Sequence, residues 1–344
     1  MRKRLSGIIG LYVFLLIMSL GGCKNSASPD PVPVRVLEPS VYVAGYYFDG
    51  VSVKACYWKD GTKIDLPGGE FFRAKAIAVS GGIVYVVGQY DDGITAKTCY
   101  WKDGVKTDLP GGFYSWANGI AVSDGIVYVA GYYDDGGYYK ACYWINGVRT
   151  DLSDGTYDSI AHSIAVSDGI VYVAGEYDNG VFYEACYVKD GTRTDLLTGV
   201  PGVENSYAMG IAAMGGSVCI TGYYDDGWHD TAWYWKDGTI TYLPAGLDSQ
   251  ALGICISGGS VYVSGGYNNS GVGTACYWID GVKTDLPLGS DFQIALSIAV
   301  SGGKVYAAGC DWEGVFSKAC YWKDGVQTDL PGGTYNSATS IAVE

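Results

Sequence analysis

Short apolar runs separated by turn-forming residues repeat along most of the chain. In one unit, four such runs span residues 117–122, 126–133, 140–145 and 148–152. The runs are rich in residues that favour strands, and no segment keeps the apolar spacing of an amphipathic helix. The pattern predicts four short β-strands in each unit and an all-β protein.

A two-residue turn separates the third run from the fourth. It is Asn146-Gly147 in this unit and Asp-Gly in most of the others. Both dipeptides accept the positive φ angles of a type I′ turn, which matches the twist of the flanking strands. The third and fourth runs are therefore predicted to form a tight antiparallel hairpin.

The unit recurs seven times, with a spacing of 43 to 47 residues. The tyrosine of the phrase Ala-Cys-Tyr-Trp marks each copy: Tyr57, Tyr100, Tyr143, Tyr187, Tyr234, Tyr277 and Tyr321. Four antiparallel strands in a unit of this length are typical of one blade of a β-propeller. Strands such as residues 126–130 are almost continuously apolar, as expected where neighbouring blades cover both faces. The repeat predicts a seven-bladed β-propeller spanning residues 39–344.

The two ends of the repeat region complement each other. Residues 41–45 match the second strand of a unit, whereas residues 340–344 match a first strand and nothing more. The C-terminal strand is therefore predicted to complete the blade formed by residues 41–66. This arrangement closes the ring and removes two exposed sheet edges.

The first 22 residues have the pattern of an export signal. Arg2, Lys3 and Arg4 precede an apolar segment over residues 5–20, which is too short for a stable membrane span. The segment ends in Leu20-Gly21-Gly22-Cys23, which resembles a bacterial lipobox. We expect residues 1–22 to be removed, Cys23 to carry a lipid anchor and residues 23–38 to form a flexible tether. An ordinary secretory signal followed by a chance cysteine is the alternative.

The negative charge of the chain argues against some classes of binding partner. The net charge is −14, and removing the three basic residues of the signal leaves about −17. Nucleic acid and anionic lipid surfaces repel such a protein, so membrane contact is expected through the lipid alone. We expect a monomer on the bacterial cell envelope, either at the outer membrane or on the cell surface.

Ten cysteines in an exported chain would ordinarily indicate disulfides. Six of them occupy one position of the repeat: Cys56, Cys99, Cys142, Cys186, Cys276 and Cys320. Equivalent positions in neighbouring blades lie further apart than the roughly 7 Å between Cα atoms that a disulfide tolerates. We expect these cysteines to be small buried apolar residues, and all nine cysteines other than Cys23 to be free.

Two segments of the unit, residues 125–131 and 141–152, resemble the extracellular HAF repeat family. They match its pattern Gly-x-x-Tyr-Val-x-Gly followed by Ala-x-x-Trp-x-x-Gly-x-x-Thr-Asp-Leu. The chain departs from the family in having Lys-Ala-Cys-Tyr-Trp where His-Ala-Phe-Leu-Trp is typical. The resemblance covers nearly the whole mature chain and implies an exported repeat protein without an assigned activity.

Motifs for catalysis, cofactor binding and metal binding are absent from the sequence. It has no phosphate-binding loop, nucleophile elbow, zinc-protease motif or EF-hand spacing, and its two histidines cannot form a three-histidine zinc site. No catalytic residue, metal or cofactor is therefore predicted. The aspartates that recur in the outer strand are interpreted as structural: Asp65, Asp108, Asp151, Asp195, Asp285 and Asp329. The paired aspartates of the other hairpin are interpreted as turn formers.

Function is expected where the repeats differ, on the face that carries the loops after the second and fourth strands. The candidate ligand-binding residues are Arg73, Lys75, Gln89, Trp116, Asn118, His162, Glu176, Glu204, Tyr207, Trp228 and His229. Aromatic side chains near carboxylates suit a glycan, a peptide or a protein partner. A binding or scaffold module is the leading hypothesis, and drift on solvated loop ends would leave the same variation.

Two other functions stay open. A glycosidase or lyase could use Glu176, Glu204, His162 or His229, which requires two acids roughly 5–10 Å apart across a pocket. Convergence of Glu176 and Glu204 beside His162 would favour that enzyme. A display protein stabilised by Ca²⁺ could instead use the hairpin aspartates, although no single loop supplies six oxygen ligands.

Overall fold

The computed structural model describes residues 38–344, except residues 69, 70, 270, 288, 290 and 334. The chain divides into two units after Glu38, of which the second, Pro39–Glu344, is compact. The expected signal peptide, the lipidated Cys23 and almost all of the tether lie outside the described residues. Every element described in the second unit is a β-strand, and the strands form four-stranded antiparallel sheets.

Each sheet forms one blade, with its first strand at the centre of the ring and its fourth at the rim. The innermost strands are β28 (Asn336–Val343), β4 (Arg73–Ser80), β8 (Tyr114–Ser123), β12 (Ser159–Ser167), β16 (Asn205–Met214), β20 (Leu247–Ser257) and β24 (Phe292–Ser301), in blades one to seven. The second strands are β1 (Val41–Phe48), β5 (Ile83–Asp91), β9 (Ile126–Asp134), β13 (Ile170–Asp178), β17 (Ser217–Asp225), β21 (Ser260–Asn269) and β25 (Lys304–Glu313).

The outer half of each blade is a hairpin. The third strands are β2 (Val53–Lys59), β6 (Ala96–Lys102), β10 (Tyr139–Ile145), β14 (Tyr183–Lys189), β18 (Asp230–Lys236), β22 (Val272–Ile279) and β26 (Phe316–Lys323). The fourth strands are β3 (Thr62–Asp65), β7 (Val105–Asp108), β11 (Val148–Asp151), β15 (Thr192–Asp195), β19 (Thr239–Tyr242), β23 (Val282–Asp285) and β27 (Val326–Asp329). Blades six and seven are also joined by one parallel bridge, Gly273 to Phe292.

The C-terminal strand β28 belongs to the first blade, where it pairs antiparallel with β1 from Val41↔Val343 to Tyr47↔Asn336. Beyond this ladder, Ser40 and Glu344 exchange two backbone hydrogen bonds of 2.8 and 3.1 Å. Strand β28 also packs beside β24 and β4, the innermost strands of the neighbouring blades. The predicted pairing of the two ends is therefore present, although the C-terminal strand begins at residue 336 rather than at 340.

The first residue of each outer hairpin turn, usually an aspartate, both adopts the turn geometry and binds the second strand through its side chain. Asp103 adopts a φ of 47°, as the first residue of a type I′ turn requires. Its Oδ1 also accepts a hydrogen bond of 2.9 Å from the backbone N–H of Val84, at the start of the second strand. All seven blades repeat this bond, with Asn146 replacing aspartate in blade three. The turn therefore fixes the register of three strands at once.

Hydrophobic cores lie between adjacent blades, including blades seven and one. In four blades, the tryptophan of the repeat phrase is buried there and donates its indole N–H to a proline carbonyl of the preceding blade. These pairs are Trp58 with Pro331, Trp101 with Pro67, Trp144 with Pro110 and Trp278 with Pro244. Each bond ties one blade to the next at the outer end of the core.

Blade four lacks this indole, because Val188 occupies the tryptophan position and Ser153 replaces the proline of blade three. A cavity of about 40 Å³ lies between the two blades, lined by Val188, Ser153 and Arg193 among others. The interface between blades three and four therefore contains a small cavity beside the position where the other blades carry tryptophan or a neighbouring indole bond.

The recurring aspartates of the outer strand are structural, as predicted. In blade three, Asp151 accepts a hydrogen bond from the Tyr133 hydroxyl and pairs with Arg149, whose guanidinium stacks 3.8 Å from the Tyr133 ring centroid. The same Tyr–cation–Asp arrangement occurs around Tyr177 and Tyr267. The nine described cysteines are all free thiols, also as predicted.

Candidate functional site

Each innermost strand contains a β-bulge where the repeats differ most. Pairing with the second strand shifts there, so one residue of the innermost strand is left without a partner. The unpartnered residues are Lys75, Asn118, His162, Met209, Leu252, Leu296 and Thr339. These seven are called the bulge ring below.

The bulge ring lines a central cavity of about 170 Å³, to which all seven innermost strands contribute. Asn118 falls within the predicted first strand, residues 117–122, and Lys75 and His162 occupy the equivalent positions. The structure places all three within the innermost strands, at the bulge that interrupts each strand.

One level closer to the loops lies a second ring, formed by pairs across the first and second strands. The candidates in it are Arg73 opposite Gln89, Trp116 opposite Tyr132, Ile160 opposite Glu176, and Tyr207 opposite Tyr223. These residues are called the channel mouth below. They share one register position in successive blades, so they lie at one depth around the same opening.

Glu176 and His162 form the central polar contact of the channel mouth. The Glu176 side chain is only 4% exposed. His162 Nε2 lies 2.9 Å from Oε1 and 2.7 Å from Oε2, and the geometry of a hydrogen bond is met at Oε1. Oε2 has no hydrogen-bond partner in the described structure. Both carboxylate oxygens therefore lie close to the His162 ring, and the buried carboxylate brings a polar group to the channel mouth.

Aromatic rings lie on both sides of Glu176. Trp116 stacks on Tyr132 with ring centroids 4.8 Å apart, and Tyr207 packs on Tyr223 with centroids 4.9 Å apart. Burial, with a contribution from the Glu176 charge, raises the pKa of Tyr132 to about 12 and also raises the pKa of Tyr207 and Tyr223. All of these phenols are therefore neutral hydrogen-bond donors at physiological pH.

Arg73 and Gln89 form a separate part of the mouth. The Arg73 guanidinium lies 5.5 Å from the centroid of the Tyr46 ring, and the buried Gln89 Oε1 has no hydrogen-bond partner among the described groups. Both side chains line a cavity of about 240 Å³ with Phe71 and Tyr90. This side of the mouth is positively charged, whereas the Glu176 side is acidic.

Three candidates lie away from the mouth, in the loops of blade five. Trp228 is 86% exposed, and His229 Nδ1 lies 3.0 Å from Asp248 Oδ1 at the surface. Glu204 precedes β16, three residues before Tyr207 and about 10 Å from it at the rise of a strand. Glu204 lies beside Gly227 and lines a cavity with Phe182 and Leu197, and Glu176 does not line that cavity.

Tyr132 and Tyr223 do not stand out in the sequence, because both belong to the common Gly-Tyr-Tyr phrase of the repeat. The register of the first and second strands places them opposite Trp116 and Tyr207. Val188 is a further departure from the repeat that was not among the predicted site residues.

The hairpin aspartates hold their own turns. Asp134 Oδ1 accepts hydrogen bonds from the N–H groups of Gly136 and Gly137 at 2.7 and 3.1 Å. Asp92 Oδ1 does the same for Ile94 and Thr95. Within the described ranges, no three side chains of histidine, cysteine, aspartate or glutamate come together as a metal site requires. The described residues therefore give the Ca²⁺ alternative no support.

The part of the chain that the structure describes holds no helix of the length and apolarity needed to cross a membrane.

Comparison with known proteins identifies the fold. No family model matches the chain, and no curated protein matches its sequence. Solved structures do match, although each is only 12% identical in sequence. The β-propeller domain of the trilobed protease from Pyrococcus furiosus, described as having an open velcro topology, gives a TM-score of 0.54 over 86% of this chain and 92% of that one.

Two further structures agree. TolB from Acinetobacter baumannii gives a TM-score of 0.51, covering 74% of this chain and 65% of that one. Acylaminoacyl peptidase from Pyrococcus horikoshii gives 0.50, covering 86% of this chain and 51% of that one. At this level of identity the likeness extends to the fold alone. The chain is an all-β protein of the β-propeller type, with about seven blades of four strands.

Proposed function

We propose that the protein is a binding module whose ligand-binding surface is the channel mouth. The observation that carries this proposal is the buried pair of Glu176 and His162 set between two stacked aromatic pairs. Aromatic faces pack against the apolar faces of sugars or against peptide side chains, while a carboxylate accepts hydrogen bonds from hydroxyl or amide groups. The ligand is a glycan, a peptide or a segment of a protein.

The cellular location in this proposal is inferred from the sequence. The signal over residues 1–22 and the lipobox at Cys23 support export and a lipid anchor on the bacterial cell envelope. The resemblance to the HAF family supports the same location. The acidic charge supports a domain that meets its ligand rather than the lipid surface or nucleic acid.

The proposal also includes a closed, monomeric ring of seven blades. The pairing of β28 with β1 and the core between blades seven and one support closure. A rigid ring favours binding because the mouth residues are held in place before the ligand arrives.

The experiment is a glycan and peptide array probed with the mature chain carrying Cys23→Ser, which prevents lipidation. Trp116→Ala and Tyr207→Ala should each weaken binding to a positive spot by tenfold or more, since aromatic anchors dominate such contacts. Trp228→Ala is the matched control, because this exposed tryptophan lies outside the mouth. Equal binding by all three variants would place the ligand elsewhere.

An enzyme acting on carbohydrate is the second candidate, favoured only by the contact between Glu176 and His162. With Glu204 set apart, a second acid is missing from the residues put forward. Release of reducing sugar or of an unsaturated product from an array-positive glycan, lost in Glu176→Gln, would replace the binding proposal.

A further inference from the structure

The bulge ring divides the central cavity into two halves of different chemistry. Blades one to four contribute Thr339, Lys75, Asn118 and His162, in that order around the ring. Blades five to seven contribute Met209, Leu252 and Leu296. The bulge residues around the cavity are therefore polar in blades one to four and apolar in blades five to seven, with Ser163, Ser297 and Ser340 between them.

Lys75 is the one lysine or arginine among the described residues that line this cavity. It is partly buried and forms no ion pair or hydrogen bond with any of them or with any other described residue. Burial lowers the pKa of Lys75, and the neighbouring Arg73 lowers it further. A cation drawn out of water without a partner is costly, so an anion that enters the cavity gains a contact that the protein itself does not supply.

The neighbours of Lys75 are already committed to the protein. The Asn118 amide donates to the Ala161 carbonyl at 3.0 Å, and the Thr339 hydroxyl lies 3.1 Å from the carbonyl oxygens of Ala44 and Ala74. His162 is held by Glu176. Lys75 is thus the group in the polar wall left to bind a ligand, and its single charge fits a monoanion.

We infer that the central cavity binds a small monocarboxylate with a short alkyl chain. Its carboxylate accepts hydrogen bonds from Lys75 Nζ, and its chain packs against Met209, Leu252 and Leu296. A cavity of about 170 Å³ has room for about six non-hydrogen atoms, given that a water molecule takes about 30 Å³ of liquid. Butanoate matches this size, and hexanoate exceeds it by about two atoms. The inference does not rest on the proposed function, because Lys75, Met209, Leu252 and Leu296 are not residues of the channel mouth, although His162 contributes to both.

The test is calorimetric titration of the mature chain carrying Cys23→Ser with acetate, butanoate, hexanoate and inorganic phosphate at pH 7. Hexanoate should bind at least tenfold more tightly than acetate, since each added CH₂ that is buried contributes favourably. Phosphate should bind more weakly than hexanoate, because it has no alkyl chain to bury.

Two variants borrow residues that the ring already uses, so the backbone position tolerates them. Lys75→Met, which copies blade five, should weaken hexanoate binding by tenfold or more. Leu252→Thr, which copies blade one, should weaken hexanoate several-fold while leaving acetate unchanged.

Absence of saturable hexanoate binding, equal affinity for acetate and hexanoate, or tighter binding of phosphate would overturn the inference. Undiminished binding to Lys75→Met would do the same. Trp228→Ala, at the exposed surface of blade five, should leave hexanoate binding unchanged. The array experiment is judged from Trp116→Ala and Tyr207→Ala, so the two results come from different variants.

Discussion

A glycine recurs in the middle of every second strand, at a position where strands ordinarily disfavour it. In all seven blades a Cβ there would collide with a backbone carbonyl oxygen of the innermost strand, beside the bulge. The glycines are Gly45, Gly88, Gly131, Gly175, Gly222, Gly265 and Gly309. The glycine leaves the space that the bulged innermost strand needs, and the bulge in turn places the residues of the bulge ring against the central cavity.

Replacing one of these glycines should therefore destabilise the whole blade. Gly131→Ala is expected to lower the free energy of unfolding by about 3 kcal/mol, because the added methyl group meets the fixed Trp116 carbonyl. Gly137→Ala in the same blade is the matched control, since nothing lies within 4 Å of its added Cβ. The control should stay within about 0.5 kcal/mol of the parent in urea unfolding. Equal values for the two variants would contradict the role of the bulge.

The thiols predict a dependence on pH. Burial raises the pKa of all nine, to about 11 for Cys219 and about 12 for Cys186. The folded chain keeps these thiols neutral, whereas the unfolded chain ionises them near pH 8.5. Their contribution to stability is therefore complete below about pH 8.5 and is lost as the pH rises toward 11 to 12.

The midpoint of urea unfolding should be steady from pH 7 to 8.5 and fall progressively above that. Iodoacetamide at pH 8 should label none of the nine thiols in the folded chain and all nine in guanidinium. Labelling of fewer than nine after unfolding would indicate a disulfide, and a flat midpoint up to pH 10.5 would show that the thiols are exposed.

At the scale of elements, the strands and hairpins followed from the alternation of apolar runs and Asx-Gly turns. The channel mouth followed only in part. Trp116 and Glu176 stood out because they depart from the repeat, whereas Tyr132 and Tyr223 match it and became visible only through strand register. The depth of Lys75 and His162 could not be predicted either, since a bulge leaves no local signal other than a glycine on a different strand.

The hydrogen bond from the indole to the preceding blade should contribute measurably to the free energy of unfolding. Trp144→Val copies blade four and is expected to lower the free energy of unfolding by about 3 kcal/mol, through lost burial and an unpaired Pro110 carbonyl. Trp228→Ala removes an exposed tryptophan and should change it by less than about 0.5 kcal/mol. Chemical denaturation compares the two variants. A Trp144→Val change as small as the control would show that the bond between blades does not stabilise them.

At the scale of the whole molecule, the blades share one architecture but contribute different side chains to the centre. The outer positions of the repeat hold turns, cores and Tyr–cation–Asp contacts, and they change little from blade to blade. The bulge ring and the channel mouth differ among the blades and place acidic, basic, aromatic and apolar groups around one opening. The proposed binding surface therefore depends on the order of the blades around the axis, which the junction between the two chain ends maintains.

That junction predicts the outcome of circular permutation. Ser40 and Glu344 are hydrogen-bonded to each other, so a linker of a few glycines can join the two ends without strain. New ends between Gly136 and Gly137, in an exposed turn of blade three, should give a chain that folds with an unfolding midpoint close to that of the parent. New ends between Ser163 and Ile164 interrupt the innermost strand β12 and should abolish cooperative unfolding.

Circular dichroism and urea unfolding distinguish the two permutants. If β28 completes blade one in solution, the first permutant keeps every strand pair of the parent, because only the order of connection changes. A first permutant that fails to fold while the parent folds would mean that the ends do not meet. The second permutant is the control. If it also unfolded cooperatively, folding of the first permutant would not be evidence that the two chain ends meet.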